Sequence, residues 1–282
     1  MRFFMMLIGF FISFSVQALQ LTEVKMTPEN QTVVMKFLYP TSQFAKTEEN
    51  RIQSFWTLPP ALKARFKQVS EGKNVTHVIS EFHQAFVLDK KLDKKNERYV
   101  VILLNNSLRG TDFDDAAEQV CKSCIGIVGL AVINLTNGYP QLIAYEPVAA
   151  TLGSRGSLEA AKILQIGPER YGFLFNTVLS VGMGYVVEYF TLVDLALKQE
   201  ILSTESGKDL QFLCDLEKSK NCNKYHYHSR VKIQTHLPVQ FGRYPIQIEK
   251  KGMNYNELTN KAFPYHVREQ YYFNGKKYVL KK

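Results

Sequence analysis

From residue 125 onward the chain is a succession of short apolar runs separated by turn residues, and this restricts it to antiparallel β-structure. The runs at 125–133, 141–145, 171–175 and 185–195 are rich in β-branched and aromatic residues. They are punctuated by Asn137-Gly138, Gly167-Pro168 and Gly182-Met183-Gly184, the composition that bounds strands. Further on, Val231, Ile233, Thr235, Leu237 and Val239 alternate with Lys232, Gln234 and His236, and Ile246 and Ile248 alternate with Gln247 and Glu249. A period of two places one set on an apolar face. Residues 271–280 read as a two-residue hairpin about Asn274-Gly275, the pair favoured by type I′ geometry.

The first half follows the same pattern with more interruptions. Val33, Met35 and Phe37 alternate with Val34, Lys36 and Leu38, so residues 20–39 read as an opening strand or two. The polar stretch 41–53 reads as a loop. Residues 75–88 and 99–104 read as an antiparallel pair around a charged turn at 89–97. Three short helices are expected: 61–69 behind Pro59-Pro60, 112–120 with Asp112 as its cap, and 157–164 with Ser157 as its cap. Asp114, Asp115 and Glu118 suit the start of the second. No fixed-period repeat names a propeller or solenoid. The expected class is mainly β with a few short helices (α+β), its antiparallel sheets in sandwich-like or propeller-like layers. The expected organisation is a single domain over 19–282, with 150–157 as the place where two lobes would divide.

The compartment is read from the N-terminus. Met1-Arg2 precede an apolar run from Phe3 to Val16, and Val16-Gln17-Ala18 supplies the small residues of a cleavage site, the pattern of a secretory signal peptide. About 14 residues fall short of the ~20 that span a bilayer, so no transmembrane anchor is expected after processing. The expected location is the bacterial periplasm, with the extracellular space as the alternative. Asn30, Asn74, Asn105 and Asn134 begin N-x-S/T triplets, which matter only in a glycosylating host.

Cysteine usage agrees with export. Cys121, Cys124, Cys214 and Cys222 are an even set, and an oxidising compartment favours two disulfides, with the local pairing Cys121–Cys124 and Cys214–Cys222 closing the shortest loops. A redox role for Cys121-Lys122-Ser123-Cys124 is disfavoured, because the pair follows an expected helix where the negative end of the dipole raises a thiol pKa. Zinc is disfavoured by the unequal C-x2-C and C-x7-C spacings.

Recognised catalytic patterns are missing. There is no G-x-S-x-G elbow, Ser70-x-x-Lys73 spans a glycine without companion motifs, and Gly182-Met183-Gly184 lacks the third glycine of a nucleotide loop. Ser154 reads as a turn residue, and Asp112, Asp114 and Asp115 lack the glycine and terminal Glu of a calcium loop. Glu188 stands out as a carboxylate within the apolar run Val186-Val187-Glu188-Tyr189-Phe190, where pairing, an edge position or function must account for it. No catalytic residue, metal ligand or cofactor is assigned.

Charge carries the strongest functional signal. Residues 211–282 hold 14 of the 35 Lys and Arg and 5 of the 26 Asp and Glu, so the whole net charge of +9 resides there. Outside the cytoplasm such a region attracts acidic proteins, anionic glycans or lipid head groups more than nucleic acid. The candidate binding residues are Tyr225, His226, Tyr227, His228, Arg230, Lys232, Arg243, Lys276 and Lys277, with Tyr271, Tyr272 and Tyr278 adding aromatic contact area. On this basis the chain is expected to be a non-enzymatic exported binding protein for an acidic protein or envelope polymer, with an inhibitor or immunity protein as one concrete form. Two alternatives compete: an envelope hydrolase using Glu188, Asp112 and histidines, and a structural component of a secretion or envelope assembly.

Overall fold

The computed structural model describes residues 20–282 apart from 47–51, 58, 61, 64–65, 67–76, 93–94, 110–125, 138, 153–157, 183–184, 210–225, 257–260 and 282. Residues 1–18 expected as a signal peptide, all four cysteines, Ser70, Asn74, the helix expected at 112–120, Ser154, Ser157 and Tyr225 lie outside the described residues.

The protein is mainly β, built from two antiparallel sheets. The first comprises β1 (Gln20–Val24), β2 (Gln43–Lys46), β3 (Ile52–Thr57), β4 (His77–Leu92), β5 (Lys95–Arg109), β6 (Gly126–Asn134) and β7 (Gln141–Leu152). Its order is β2-β3-β4-β5-β6-β7, and β1 pairs with the far end of β4 beyond β3. The second sheet is a continuous meander: β8 (Lys162–Gly167), β9 (Arg170–Gly182), β10 (Tyr185–Asp194), β11 (Gln199–Asp209), β12 (His226–Ile233), β13 (Ile246–Asn256), β14 (Lys261–Phe273) and β15 (Tyr278–Leu280).

The sheets pack as layers, because each has an apolar face that only another sheet or a helix can cover. Leu103, Leu130 and Leu152 of the first meet Phe173, Phe175 and Val193 of the second in a shared core, with the Phe86 and Phe173 rings 4.9 Å apart. The other face of the first sheet is covered by α1 (Pro28–Leu38). The second sheet forms its own core, in which Ile166, Leu174 and Leu192 meet Ile246, Ile248 and Phe273. The segment between β12 and β13 covers the edge of β8: the Tyr244 N–H donates to Ile166 O at 2.7 Å, and a side chain on Gly167 would collide with Gly242 O.

Several local expectations are corrected. Residues 28–38 are a helix, because the alternation at 33–38 also fits a helical face, and Met35 and Tyr39 one turn apart are both buried. The overlooked signals are Thr27, whose Oγ1 accepts from the Asn30 N–H at 3.4 Å, and Pro28 in the first turn. The stretch expected as a loop at 41–53 holds β2 and the start of β3. Pro60, Leu62, Lys63 and Phe66 are helical, as the 61–69 reading expects, and Phe66 is fully buried. The 75–88 and 99–104 pair forms, but its strands extend through the charged segment expected as a turn.

The helix expected at 157–164 is replaced by irregular chain and β8. There Leu158 and Ala161 enter the shared core, and the Ala161 N–H donates to the Gln84 side chain at 2.7 Å, so tertiary contacts override local propensity. The strand expected to reach Val239 stops at Ile233; Pro238 and Pro245 have no N–H for a ladder. The final hairpin is centred on Gly275-Lys276. Asn274 N–H donates to Lys277 O, and Asn274 Oδ1 accepts from the N–H groups of Lys276 and Lys277. Of the two central residues only Gly275 has positive φ, at +96°, so the type I′ expectation fails.

Candidate anion-binding face

Register on β12, β13 and β14 gathers cations on one face. His228 pairs with Lys251 and Arg230 with Glu249; Lys251 in turn pairs with His266 and Glu249 with Arg268. Directly paired residues share a face and side chains alternate along each strand, so His226, His228, Arg230, Lys232, Lys251, His266 and Arg268 stand together around Glu249. The opposite face carries Val231, Ile246 and Ile248 into the core. Alternation therefore fixes the cationic row as firmly as it fixes the apolar one.

Glu249 is the centre of this array. It accepts from Lys232 Nζ at 3.2 Å, from His266 Nε2–H at 3.0 Å and from Arg268 Nε at 3.1 Å. Hydrogen bonds from His266, Lys232 and Arg268 stabilise the ionised form and hold its pKa down at about 2. Arg230 and Lys251, by contrast, have no carboxylate partner among the described residues. They line a recess of about 380 Å³ together with His228, Glu249 and Gly252. The His226 and His228 rings stack beside it, 6.1 Å apart.

Gly252 shapes the recess floor. Its φ is +148°, and a Cβ there would lie 2.7 Å from Tyr227 Cα and overlap His226 O. Only glycine lets β13 approach β12 this closely.

Among the candidate binding residues, His226, His228, Arg230 and Lys232 are exposed on this face. Tyr227 is not. It is 1% exposed, its ring lies 4.9 Å from Tyr265, and its hydroxyl donates to Glu205. Arg243 is also interior, 6% exposed and paired with Asp194. Lys276 and Lys277 are exposed on the β14–β15 turn. Tyr271 and Tyr278 are buried, at 8% and 4% exposure, whereas Tyr272 is half-buried and has Lys281 Nζ 5.4 Å from its ring centroid.

Sequence reasoning did not single out Glu249, Lys251, His266 and Arg268 as site residues. Alternation places Glu249 and Lys251 on one side of β13 and His266 and Arg268 on one side of β14. Only the inter-strand register sets them against His228 and Arg230. Part of the regional charge is also consumed internally: Lys250 is 6% exposed and its Nζ lies 2.9 Å from Glu269.

Glu188 pairs across the strands with Gly207. A Cβ on Gly207 would stand 2.8 Å from Glu188 Oε2, so the glycine makes room for this carboxylate. No hydrogen bond joins Glu188 to a histidine among the described residues, and no group of three His, Cys, Asp or Glu is arranged to hold a metal among them. No helix among the described residues is long and apolar enough to cross a membrane. Comparison of the chain with family models, curated proteins and solved structures returns no match.

Proposed function

We propose that this is an exported binding protein that holds an acidic protein or an anionic envelope polymer against the cationic face of β12–β14. The observation that carries the reading is the pair Arg230 and Lys251, uncommitted cations flanking the recess while Lys232 and Arg268 are engaged by Glu249. The sheet holds the backbone of both donors at fixed spacing, so an incoming carboxylate, sulfate or phosphate meets two cations on one face and forms charge-assisted contacts with them. An inhibitor or immunity protein for an envelope-directed toxin is one form of this function. Export rests on the apolar run 3–16 and its small-residue end, and the mature chain is expected to begin at Leu19 by intact mass.

The test is retention on immobilised polyglutamate and heparin across a salt gradient. The wild-type protein is expected to bind at about 50 mM salt and to elute before about 500 mM, because screening lengths shorten markedly over that range. Arg230→Glu combined with Lys251→Glu is expected to abolish retention without lowering the melting temperature. Equal retention of the two proteins would refute the assignment of the face.

A further inference from the structure

We propose that the cleft between the two sheets binds a single-chain amphiphile with an anionic head group. The cleft has a volume of about 490 Å³, within the ~300–1,000 Å³ of small-molecule sites. It opens where the shared core tapers between β4–β7 on one side and the β8–β9 and β10–β11 turns on the other. Its walls include Leu88, Val101, Val132 and Leu195. Leu88, Val132 and Leu195 pack against the shared core yet are only partly buried, so the core offers apolar surface into the cleft. Ile143, which also lines the cleft, is 51% exposed.

Charge at the mouth selects the occupant. Arg170 and Lys198 both line the cleft, and neither has a carboxylate partner among the described residues. Among the described residues Glu169 is the single anion lining it, and it occupies the β8–β9 turn with φ of 53°. Lys198 is held on the same side, on the adjacent β10–β11 turn, with φ of 55° and its N–H donating to Asp194 O at 2.8 Å. Two cations over an apolar slot suit an acyl chain ended by a carboxylate or phosphate. A cationic or uncharged amphiphile would bury its tail equally well but would gain nothing from Arg170 and Lys198.

The proposal is tested by titrating the full mature protein with dansylaminoundecanoate below its micellar concentration. Saturable fluorescence enhancement at one site per chain is expected, reversed by dodecanoate and not by dodecyltrimethylammonium. Arg170→Glu with Lys198→Glu, both at the surface turns, is expected to weaken binding about tenfold or more by loss of charge-assisted contacts, and Ala144→Trp is expected to abolish it by filling the slot. Displacement by dodecanoate alone identifies a free acid, and displacement by lysophosphatidylglycerol alone identifies a lysolipid; either supports the site. Absence of saturable binding, equal displacement by the cationic amphiphile, or unchanged affinity in the folded Arg170/Lys198 variant overturns it. The Arg230→Glu, Lys251→Glu variant is expected to bind the probe like the wild type; a loss there would place the probe on the β12–β14 face and overturn the cleft assignment.

Discussion

Arg243 and Asp194 form a buried ion pair, with Nη2 2.5 Å from Oδ2 and side chains 6% and 0% exposed. The pair is fully built: Asp194 Oδ1 accepts from the N–H groups of Ala196 and Leu197, Arg243 donates to Phe241 O, and its guanidinium lies 4.5 Å from the Phe273 ring centroid. It ties the end of β10 to the segment that covers β8. Removing one partner strands the other charge in the interior, so Arg243→Met is expected to cost about 3–5 kcal/mol. Asp194→Leu with Arg243→Met is expected to recover part of that loss, because no uncompensated charge then remains. Urea denaturation of the two variants measures the difference.

A second buried polar centre lies in the first sheet. Ser80 Oγ accepts from the Tyr39 hydroxyl at 3.0 Å and from Trp56 Nε1–H at 2.8 Å, and donates to Asn106 Oδ1 at 2.6 Å. Burial pushes the Tyr39 hydroxyl up to about 12 against the opposing pull of its hydrogen bonds to Ser80 and Tyr145, and Tyr145 is raised as well, first by burial and then by Tyr39. Ser80→Ala takes this partner from Trp56 Nε1–H and Asn106 Oδ1, while the Tyr39 hydroxyl keeps Tyr145, and is expected to cost about 1–3 kcal/mol. Trp56 is the only tryptophan of the chain, so its fluorescence reports the loss directly during unfolding.

Gly252→Ala tests the close approach of β12 and β13. Strain at φ of +148° adds to overlap with the backbone of His226 and Tyr227. The expected destabilisation is about 2–4 kcal/mol, combining a disfavoured backbone region with forced displacement of a paired strand. Thermal unfolding measures it, and weaker polyglutamate retention at temperatures where the variant stays folded shows that the recess is distorted.

Glu249 links pH to this face. Its pKa is lowered in the folded protein to about 2, so its favourable contribution is complete above the ordinary carboxylate range near 4.5 and is lost as pH falls through about 2. Glu249→Gln is expected to flatten stability over that acid window. It also removes the carboxylate that engages Lys232 and Arg268, and retention on heparin is expected to move to higher salt. Elution at lower salt would show that Glu249 positions the cations more than it competes for them.

The sequence alone determined the β class. The strands β6, β7, β9 and β10 were legible because short β-branched and aromatic runs bounded by turn residues are properties of adjacent positions. The concentration of charge in residues 211–282, and the exposure of His226, His228, Arg230 and Lys232 on one side of β12, were legible for the same reason. Tertiary structure decided what depends on partners distant in the chain. Met35 lies in a helix because a Thr27 cap and a packing surface on the first sheet outweigh a locally ambiguous alternation. Arg243 and Lys250 carry the same charge as Arg230 and Lys251, yet Asp194 and Glu269 draw the first two inside. The second two stay at the recess because Glu249, although it stands across from Arg230, accepts from Lys232, His266 and Arg268 instead. Local composition sets how much charge a segment carries; which charges remain free for a ligand is set by pairing across strands, where a shift of one residue exchanges the two faces.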